Sequence, residues 1–351
     1  MDNYLDKPIS PLTISENAQV TSLIEGMKGT AFQGRNLSLA ADIWVNMLKD
    51  TTTVFMGLAG AMVPAGMRKI IAYLIEHRMI DCLVSTGANL FHDCHESLGR
   101  YHFQGSTEVD DIELFERGID RIYDVFAREE EFRKTDDFIE NWVMTLGQDR
   151  PVTTREFLYS LGQELSKVAK TEGILTTAYR KGVPIYCPAL GDSSIGIAIA
   201  TGRFRGTNAI NFDIIQDILE TADIVYKSKA TGVIYVGGGV PKNFIQQTEV
   251  TSSFIYNYPS VGHKYAIQIT TDAPHWGGLS GCTFKEAQSW GKIAKEAQKV
   301  SVYADATIAL PLLVTATAEK VKDILVTRKP PQFYMEKTLK RNSSGSLSFR
   351  A

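Results

Sequence analysis

The chain has few cysteines, and their arrangement indicates neither a disulfide framework nor a zinc-binding motif. Its 351 residues include only four, with no CxxC pair and no regular spacing: Cys82, Cys94, Cys187 and Cys282. Three of them lie beside apolar, strand-like segments, so we expect buried free thiols. The sequence therefore favours a protein of the reducing cytoplasm over a secreted protein held together by disulfides.

Long apolar runs and a strong net charge are also lacking. No segment approaches the run of about 20 apolar residues that a helix needs to cross a bilayer. The first twelve residues, MDNYLDKPISPL, have neither the basic nor the apolar part of a signal peptide. The net charge of −3 and the pI of about 6.1 provide no strong basic field for nucleic acid. We therefore expect no membrane and no nucleic acid as partner, although a local acidic pocket for a cationic substrate fits this composition.

What the sequence does contain is an alternation of apolar, β-rich segments with helical patterns. Strands are predicted at 53–58, 81–85, 183–187, 208–212, 233–236, 265–270 and 300–304, and helices at 67–78, 154–170 and 214–222. Alternating β and α units are typical of a largely parallel sheet with helices on both faces. The predicted fold class is therefore α/β, with a Rossmann-like sheet in a single domain.

The ends of the chain and one charged segment stand apart from this alternation. We divide the chain into an N-terminal extension, a main domain and a Ser- and Lys/Arg-rich flexible tail: 1–28, 29–335 and 336–351. Thr13 and Glu16 predict a capping box for a first helix, and Asn36 the cap of a second. The charged segment 107–145 predicts a helical insertion or subunit-contact element.

Small and polar residues follow most of the predicted strands, which is where ligands bind in parallel sheets. Gly237 to Gly239 come directly after GVIYV and would let backbone N–H groups approach a phosphate. A tight turn explains these glycines equally well, and the fingerprint GxGxxG is absent. Asp192 and Asp305 could bond ribose hydroxyls or cap the helices that follow them.

Two histidines are the obvious candidates for a metal site. His92 and His95 would share one face of a helix, but zinc would need a third ligand such as His102 or Asp93. The sequence contains no further Cys/His pair at metal spacing. We therefore predict no bound metal and interpret the pair as polar lining or surface; a zinc hydrolase remains a minor alternative.

Lys292, in EAQSWGKI, is a candidate nucleophile on local grounds alone, although most lysines are surface residues. A lysine that forms a Schiff base must be partly deprotonated, and burial beside apolar groups favours this. Trp290 supplies an apolar neighbour and Gly291 permits close packing. On a helix, Glu286 would share a face with Trp290.

The segment that contains this lysine resembles the signature of the deoxyhypusine synthase family. From Ile269 to Val314 it reads ITTDAPHWGGLSGCTFKEAQSWGKIAKEAQKVSVYADATIALPLLV, and the family reads E-A-x-S-W-G-K-I, then V-Y-A-D-A and a PLLV run. Further matches are GTAFQGRNLSLA, VPIYCPALGDSSIG and ATGVIYVGGGVPK. The resemblance covers roughly residues 29–320.

The resemblance implies an NAD-dependent aminoalkyl transferase, in which NAD oxidises spermidine and a lysine captures the aminobutyl group as an imine. It also implies a homotetramer with active sites at a subunit interface. Lys292 would be the nucleophile, Trp290 would pack on the alkyl chain and Glu286 would attract a cationic amine. The implied cofactor contacts are Gly60, Ala61, Ala65, Ser85, Thr86, Gly87, Asp192, Gly238, Thr271, Asp305 and Ala306.

Several positions depart from the family pattern. Ile197, Trp276 and Leu279 stand where the family has carboxylates for the polyamine; Asn243 replaces a histidine, and His92 a glutamate near the nicotinamide. Each lost carboxylate removes on the order of 1–3 kcal/mol of attraction for an ammonium group.

These departures predict that the chemistry is kept and the amine substrate has changed. The polar groups expected to recognise the new substrate are His92, Asp93, Asp272 and His275. Two alternatives remain: true deoxyhypusine synthesis on a lysine of translation initiation factor 5A, and an NAD-binding protein without catalysis.

Overall fold

Eleven strands are formed by the part of the chain that the computed structural model describes, which comprises residues 5, 7–147, 149–335 and 347–350. In chain order they are β1 (Thr53–Leu58), β2 (Cys82–Ser85), β3 (Phe103–Gln104), β4 (Ile119–Ile122), β5 (Val125–Arg128), β6 (Ile185–Tyr186), β7 (Thr231–Val236), β8 (His263–Thr270), β9 (Ile293–Tyr303), β10 (Gln332–Met335) and β11 (Leu347–Arg350).

Fourteen α-helices lie between and around these strands in the same described ranges. They are α1 (Val20–Gly26), α2 (Phe32–Lys49), α3 (Arg68–Glu76), α4 (Gly87–Ser97), α5 (Asp111–Glu116), α6 (Glu129–Met144), α7 (Thr154–Val168), α8 (Ile174–Lys181), α9 (Ser194–Phe204), α10 (Ile214–Lys227), α11 (Gly239–Tyr256), α12 (Phe284–Ser289), α13 (Ala306–Lys320) and α14 (Lys322–Thr327).

Six of the strands form one parallel sheet in the order β6-β2-β1-β7-β8-β9. β1 and β7 lie at its centre and are buried along their whole length, because helices cover both faces. All six carboxyl ends therefore lie at the same edge. Along the chain, β1, β2 and β6 follow one another toward one side of the sheet. Then β7, β8 and β9 follow one another toward the other side, so the strand order reverses between β1 and β7. The α/β prediction is confirmed.

The two faces of the sheet support two separate apolar cores, because alternate residues of a strand point to opposite sides. Val54, Met56 and Leu58 of β1 pack into a large core with α2, α3 and α4. Phe55, between them, packs into a smaller core that includes Phe284 of α12 and residues of α10 and α11. Helices α4 and α12 therefore lie on opposite faces of the sheet.

The strand predicted at 208–212 is wrong. Within this segment only Phe212 pairs, in an isolated bridge with Val152. Asn208 donates its Nδ2 hydrogen to the Ile199 carbonyl in the middle of α9, 3.0 Å away, and so bonds a helix in place of a neighbouring strand. An apolar alternation does not predict a strand where a polar side chain ties the segment to a helix.

The charged segment 107–145 is not continuously helical. It contains α5, the antiparallel pair β4 and β5 with β3 beside it, and then the expected long helix α6. Gly118, with a φ of 64°, ends α5, and Tyr123, with a φ of 55°, lies in the turn of the hairpin. Positive φ values at these two positions break the helical pattern that the charges suggest.

The N-terminal helices begin elsewhere than predicted. The first starts at Val20 and not at Thr13, and the second at Phe32, so that Asn36 lies inside α2 and donates to the Ser301 carbonyl. Ile24 of α1 is buried in the large core. The boundary between residues 28 and 29 stays a prediction.

Part of the predicted flexible tail, 336–346 and 351, lies outside the described residues. Leu347–Arg350, by contrast, form β11, which pairs antiparallel with β10. This short stretch therefore has a backbone partner, which the composition of the tail did not indicate.

The four cysteines are free, as predicted; Cys82, Cys94 and Cys187 are buried and Cys282 is half-buried. No described helix is both long enough and apolar enough to cross a bilayer.

A buried carboxylate ties the amino edge of the sheet together. Asp81 is fully buried; its Oδ2 accepts hydrogen bonds from the Val54 backbone N–H and Arg328 Nη2, at 2.9 and 2.6 Å. Its Oδ1 accepts from Arg78 Nη2 and Arg328 Nη1, at 3.1 and 3.0 Å. Arg328 also donates to the carbonyl of Thr52.

We expect Asp81→Asn to lower the free energy of unfolding by about 3 kcal/mol, because it leaves two partly buried guanidinium groups without their carboxylate. Urea unfolding followed by circular dichroism at a fixed chain concentration measures this. Glu164→Gln, which removes a surface pair with Lys167, serves as the control and should change stability by no more than about 0.5 kcal/mol. Equal effects of the two substitutions would contradict the assigned role.

Candidate active site

The proposed cofactor residues all follow strands of the parallel sheet and therefore meet at its carboxyl edge. The groups follow β1, β2, β6, β7, β8 and β9 in turn: Gly60, Ala61 and Ala65; Ser85, Thr86 and Gly87; Asp192; Gly238; Thr271; and Asp305 with Ala306. Crevices at this edge, where the strand order reverses, are the usual ligand sites of such sheets. Here the reversal lies between the Gly60 and Gly238 loops.

The two loops at the reversal are built for close approach. Gly60 and Gly237 have φ values of 71° and 72°, which glycine adopts without strain. A Cβ at Gly237 would lie only 3.2 Å from that of Ala59. Thr86 Oγ1 and Asn89 Nδ2 both donate to the Gly60 carbonyl, at 3.3 and 2.9 Å, and hold its loop against the start of α4. Glycines at these positions place no side chain at the reversal point, as a close approach of an NAD pyrophosphate would require.

The two strand-end aspartates differ in what they already bind. Asp305 caps α13: its Oδ1 accepts from the Thr307 backbone N–H at 2.8 Å, and the Thr307 hydrogen bonds hold the Asp305 pKa below its usual range. Asp192 is exposed, and α9, which follows it, begins at Ser194 without a side-chain cap. Of the two, Asp192 has the carboxylate better placed to accept from ribose hydroxyls.

Gly238 has a packing role that the sequence did not reveal. A Cβ there would lie 2.4 Å from the Cα of Ser280, so only glycine lets the loop after β8 pack against the start of α11. Ser280 Oγ in turn accepts from the Gly239 backbone N–H at 2.9 Å.

Lys292 lies immediately before β9, and its side chain is held against α11. Its backbone carbonyl accepts from the His263 N–H, 3.1 Å away, at the amino edge of the sheet. Its Nζ donates to Asn243 Oδ1 at 3.2 Å and lies 5.4 Å from the centre of the Trp290 ring. The residue is half-buried. The nucleophile predicted from the sequence is therefore held between an amide oxygen and an aromatic face.

A small cavity extends along α10 and α11, and its lining includes Asn243, the hydrogen-bond partner of Lys292. Its volume is about 200 Å³, and Val240, Phe244 and Leu279 also line it. Leu279 is one of the positions where the family has a carboxylate. The cavity wall at residue 279 is thus more apolar than the family pattern implies.

Glu286 and Trp290 do not share a helical face as expected. Helix α12 ends at Ser289, so Trp290 lies beyond the last turn and is 66% exposed. Glu286 is also exposed, and its backbone N–H is capped by Thr283. The Trp290 ring nevertheless lies near Lys292 Nζ, and Gly291 between them turns the chain toward β9 with a φ of 69°.

Lys242 is a residue that sequence reasoning missed. It is fully buried, and its Nζ donates to Gln268 Oε1 at 3.0 Å and to the carbonyls of Cys282 and Ser280 at 2.6 and 3.3 Å. Burial lowers its pKa to about 8, and Lys292 nearby adds to that effect. The only sequence signal was its place in GGGVPK, which does not reveal burial. Lys242 holds the loop before α12 in position.

His92 belongs to a hydrogen-bonded chain of side chains. His92 Nδ1 and His102 Nε2 are 2.9 Å apart, and His102 Nδ1 lies 2.8 Å from Glu96 Oε1. Burial, and then the neighbouring His102, lower the pKa of His92 to about 3, so the ring is neutral near pH 7. His92 is 8% exposed.

Asp93 is not available for substrate, contrary to our expectation. It is fully buried, accepts from Arg68 Nε at 2.7 Å and from the backbone N–H groups of Ile174 and Leu175 at 2.8 and 2.7 Å. These contacts cap α8 and join it to α3 and α4. The role of Asp93 is structural.

The histidines do not present a metal site. His95 Nδ1 pairs with Thr135 Oγ1 at 3.0 Å, and the facing nitrogens of His92 and His102 bond each other. No group of three or more metal-ligating side chains occurs in the described ranges.

The remaining proposed substrate groups lie on the loop after β8. His275 and Trp276 belong to a single 3₁₀ turn, their rings are 4.3 Å apart, and both are exposed. Asp272 is exposed on the same loop. No contact in the structure joins these groups to Lys292.

His92 and Lys292 lie on opposite faces of the sheet. His92 belongs to α4, whose Leu90 and Phe91 pack in the large core. Lys292 contacts α11, whose Ile245 packs in the smaller core. One chain therefore does not bring these two proposed site residues together.

Comparison with known proteins agrees with this geometry. The family model for deoxyhypusine synthase matches residues 22–317. The chain is 55% identical, over 95% of both sequences, to a protein named probable deoxyhypusine synthase 2 from Methanosarcina acetivorans. It is 42% identical to probable deoxyhypusine synthase 1 of the same organism, over 90% of this chain and 96% of the relative.

A solved structure shares the fold. A crystal structure attributed to a deoxyhypusine synthase from Entamoeba histolytica superposes with a TM-score of 0.62 at 19% identity, covering 87% of this chain and 94% of its own. With this fold and a family match over most of its length, the chain belongs to the deoxyhypusine synthase family of NAD-dependent transferases.

Proposed function

We propose that this protein transfers an aminoalkyl group through an imine on Lys292, with NAD as redox cofactor and with an amine specificity altered from deoxyhypusine synthesis. The observation that carries the proposal is the position of Lys292 Nζ, on a half-buried residue, between the Trp290 ring and Asn243 Oδ1, whose side chain also lines the cavity along α10 and α11. A neutral amine in that position can attack a C=N carbon.

The cofactor residues suit their part in this chemistry. NAD, when bound, accepts a hydride from the amine donor and returns it to the product. The Gly60 and Gly238 loops would hold the pyrophosphate, and the Asp192 carboxylate would accept from ribose hydroxyls. Thr271 and Asp305 line the far side of the same edge.

Lys292 would carry the transfer itself. Its nitrogen forms a bond to the carbon of the oxidised donor, and the bond from that carbon to the leaving amine breaks, with the proton of Lys292 passing to the leaving nitrogen. Asn243 Oδ1 accepts a hydrogen bond from Lys292 Nζ and so orients the lone pair of that nitrogen. The face of the Trp290 ring would pack on the alkyl chain of the substrate. An acceptor amine then displaces Lys292 from the imine.

A site completed by a second copy of the chain is part of the proposal, within a homotetramer. His92 and Lys292 lie on opposite faces of one sheet, and the cofactor residues lie at the carboxyl edge, whereas the Lys292 backbone lies at the amino edge. Large apolar side chains are exposed beside Lys292 and on the loop after β8: Trp290 at 66% and Trp276 at 78%. A partner subunit that covers them would bring its own cofactor edge to this lysine.

The altered specificity is supported by two independent observations. Ile197 and Leu279 are apolar and 60% and 40% exposed, where a family polyamine site has carboxylates. Methanosarcina acetivorans has two relatives of this chain, and the chain is more similar to the one numbered 2 than to the one numbered 1. The presence of two such relatives in one organism favours the interpretation that the two proteins act on different substrates.

Deoxyhypusine synthesis on translation initiation factor 5A remains the second candidate, favoured by the names of the relatives. The two candidates differ in the acceptor: a lysine of that protein, or a free amine. Both use Lys292 in the same way.

We expect borohydride to trap an amine-derived adduct on Lys292 when the protein is incubated with NAD and a panel of polyamines that includes agmatine. Intact-mass and peptide mass spectrometry locate the adduct. Lys292→Arg should abolish it, whereas Lys295→Arg, which changes an exposed lysine three residues away, should leave it unchanged. An adduct that persists in Lys292→Arg would contradict the assignment, and no adduct with any amine would favour a non-catalytic NAD-binding protein.

We expect two inactive variants to restore each other if the site is shared between subunits. Co-expressed Lys292→Ala and Asp192→Ala chains should give about a quarter of the wild-type activity, because half of the dimers are mixed and each mixed dimer retains one intact site. NADH-coupled turnover of the purified mixed oligomer measures this. Activity no higher than that of the two parents would place the whole site within one chain.

We expect Ile197→Asp combined with Leu279→Asp to raise kcat/KM for spermidine by at least about tenfold, since each added carboxylate supplies on the order of 1–3 kcal/mol of attraction to an ammonium group. The Asn pair at the same positions adds polarity without charge and is the matched control. An equal gain with Asn would show that the cavity, and not the charge, limits spermidine.

A further inference from the structure

The chain His92–His102–Glu96 fixes the positions of the protons that it contains. A carboxylate only accepts hydrogen bonds, so the 2.8 Å contact with Glu96 Oε1 requires a hydrogen on His102 Nδ1. If His102 is neutral, its Nε2 is then bare and must accept from His92 Nδ1, 2.9 Å away. The Nε2 of His92 is left as an unprotonated base.

The His92 base is buried, but its Nε2 has no hydrogen-bond partner of its own in the described ranges, and the side chain retains 8% exposure. His92 lies five residues into α4, about 7.5 Å below the carboxyl edge where this helix begins. It is therefore beneath the proposed cofactor loops of Thr86 and Gly87.

The same positions of the heavy atoms also fit a second protonation state of the two histidines. If His92 Nε2 gains a proton, the Nδ1 proton can pass to His102 Nε2. His102 then carries the positive charge beside Glu96, and His92 is neutral again. A charge on His92 itself is disfavoured, because burial lowers its pKa to about 3.

The surroundings hold this chain rigid. Arg68 Nε lies 3.8 Å from Glu96 Oε2 and anchors the carboxylate, while His95 and Arg100 both bond Thr135 and form the next layer. The Phe132 ring packs on His92, His95 and His102 with centroid distances of 5.4, 4.7 and 6.1 Å.

We infer that His92 is the base that deprotonates the amine donor, and that His102 and Glu96 position it and take up the proton. This inference rests on the proposed function. The donor binds as a secondary ammonium; His92 Nε2 removes its proton, and the lone pair left on nitrogen forms the C=N bond as the hydride leaves to NAD. One proton thus ends on the histidine pair and two electrons on the cofactor, which balances the step.

Nitrogen NMR of 15N-histidine-labelled protein tests the proton positions independently of any activity. The chain has six histidines, so single Gln variants at 92 and 102 assign both signals. We expect both rings to carry hydrogen on Nδ1 and a bare Nε2 at neutral pH. A hydrogen on His92 Nε2 in the absence of ligand would overturn the inference.

Stopped-flow formation of NADH tests the catalytic role. We expect the burst rate to fall on the order of 100-fold in His92→Gln and on the order of 10-fold in Glu96→Gln, with NAD affinity unchanged. His77→Gln, at an exposed histidine on the end of α3, is the control and should match wild type.

The proton inventory in mixed H₂O and D₂O separates this role from a structural one. Two protons in flight should give a curved inventory in wild type, which becomes linear in Glu96→Gln. If Glu96→Gln slows the burst but its proton inventory stays curved, the relay to His102 and Glu96 is overturned, whereas the role of His92 as base is not. If wild type forms no NADH with any amine, the proposed function fails and the catalytic role of His92 fails with it.

Discussion

Parallel pairing of β1 with β2 on one side and β7 on the other is the constraint on which the rest of this structure depends. Because all six strands run in one direction, residues that are far apart in sequence finish at one edge. The glycine turns, Asp192 and the start of α4 are far apart in the sequence, and they meet at this edge. Both faces are covered by helices, so this edge is where backbone groups remain open to a ligand.

The sequence indicated this arrangement well, because its signals are local and repeated. Apolar β-rich segments that end in small residues predicted the α/β sheet and the ligand edge. The family motif around Lys292 was recognisable because the residues are consecutive. Elements that depend on a single side chain were predicted less well: Asn36 lies inside a helix, and Asn208 bonds a carbonyl in the middle of α9.

The roles of buried polar residues could not be predicted, because they depend on partners distant in sequence. Asp93 was expected to face substrate, yet Arg68 and the start of α8 occupy it fully. No sequence pattern indicates that Lys242 is buried, yet it is among the most buried charged groups. His92 and His102 were considered as metal ligands, and only their 2.9 Å contact indicates a different use. In each case the sequence shows the chemical type of the side chain but not the partner that it has in the fold.

The separation of Lys292 from the cofactor edge has a consequence for the newly made protein. In the proposed assembly, a chain that has folded but not yet found its partner holds a nucleophile with no oxidant beside it. Capture of an oxidised amine on Lys292 would then require the assembled oligomer, and dilution would silence the transfer before the chain unfolds.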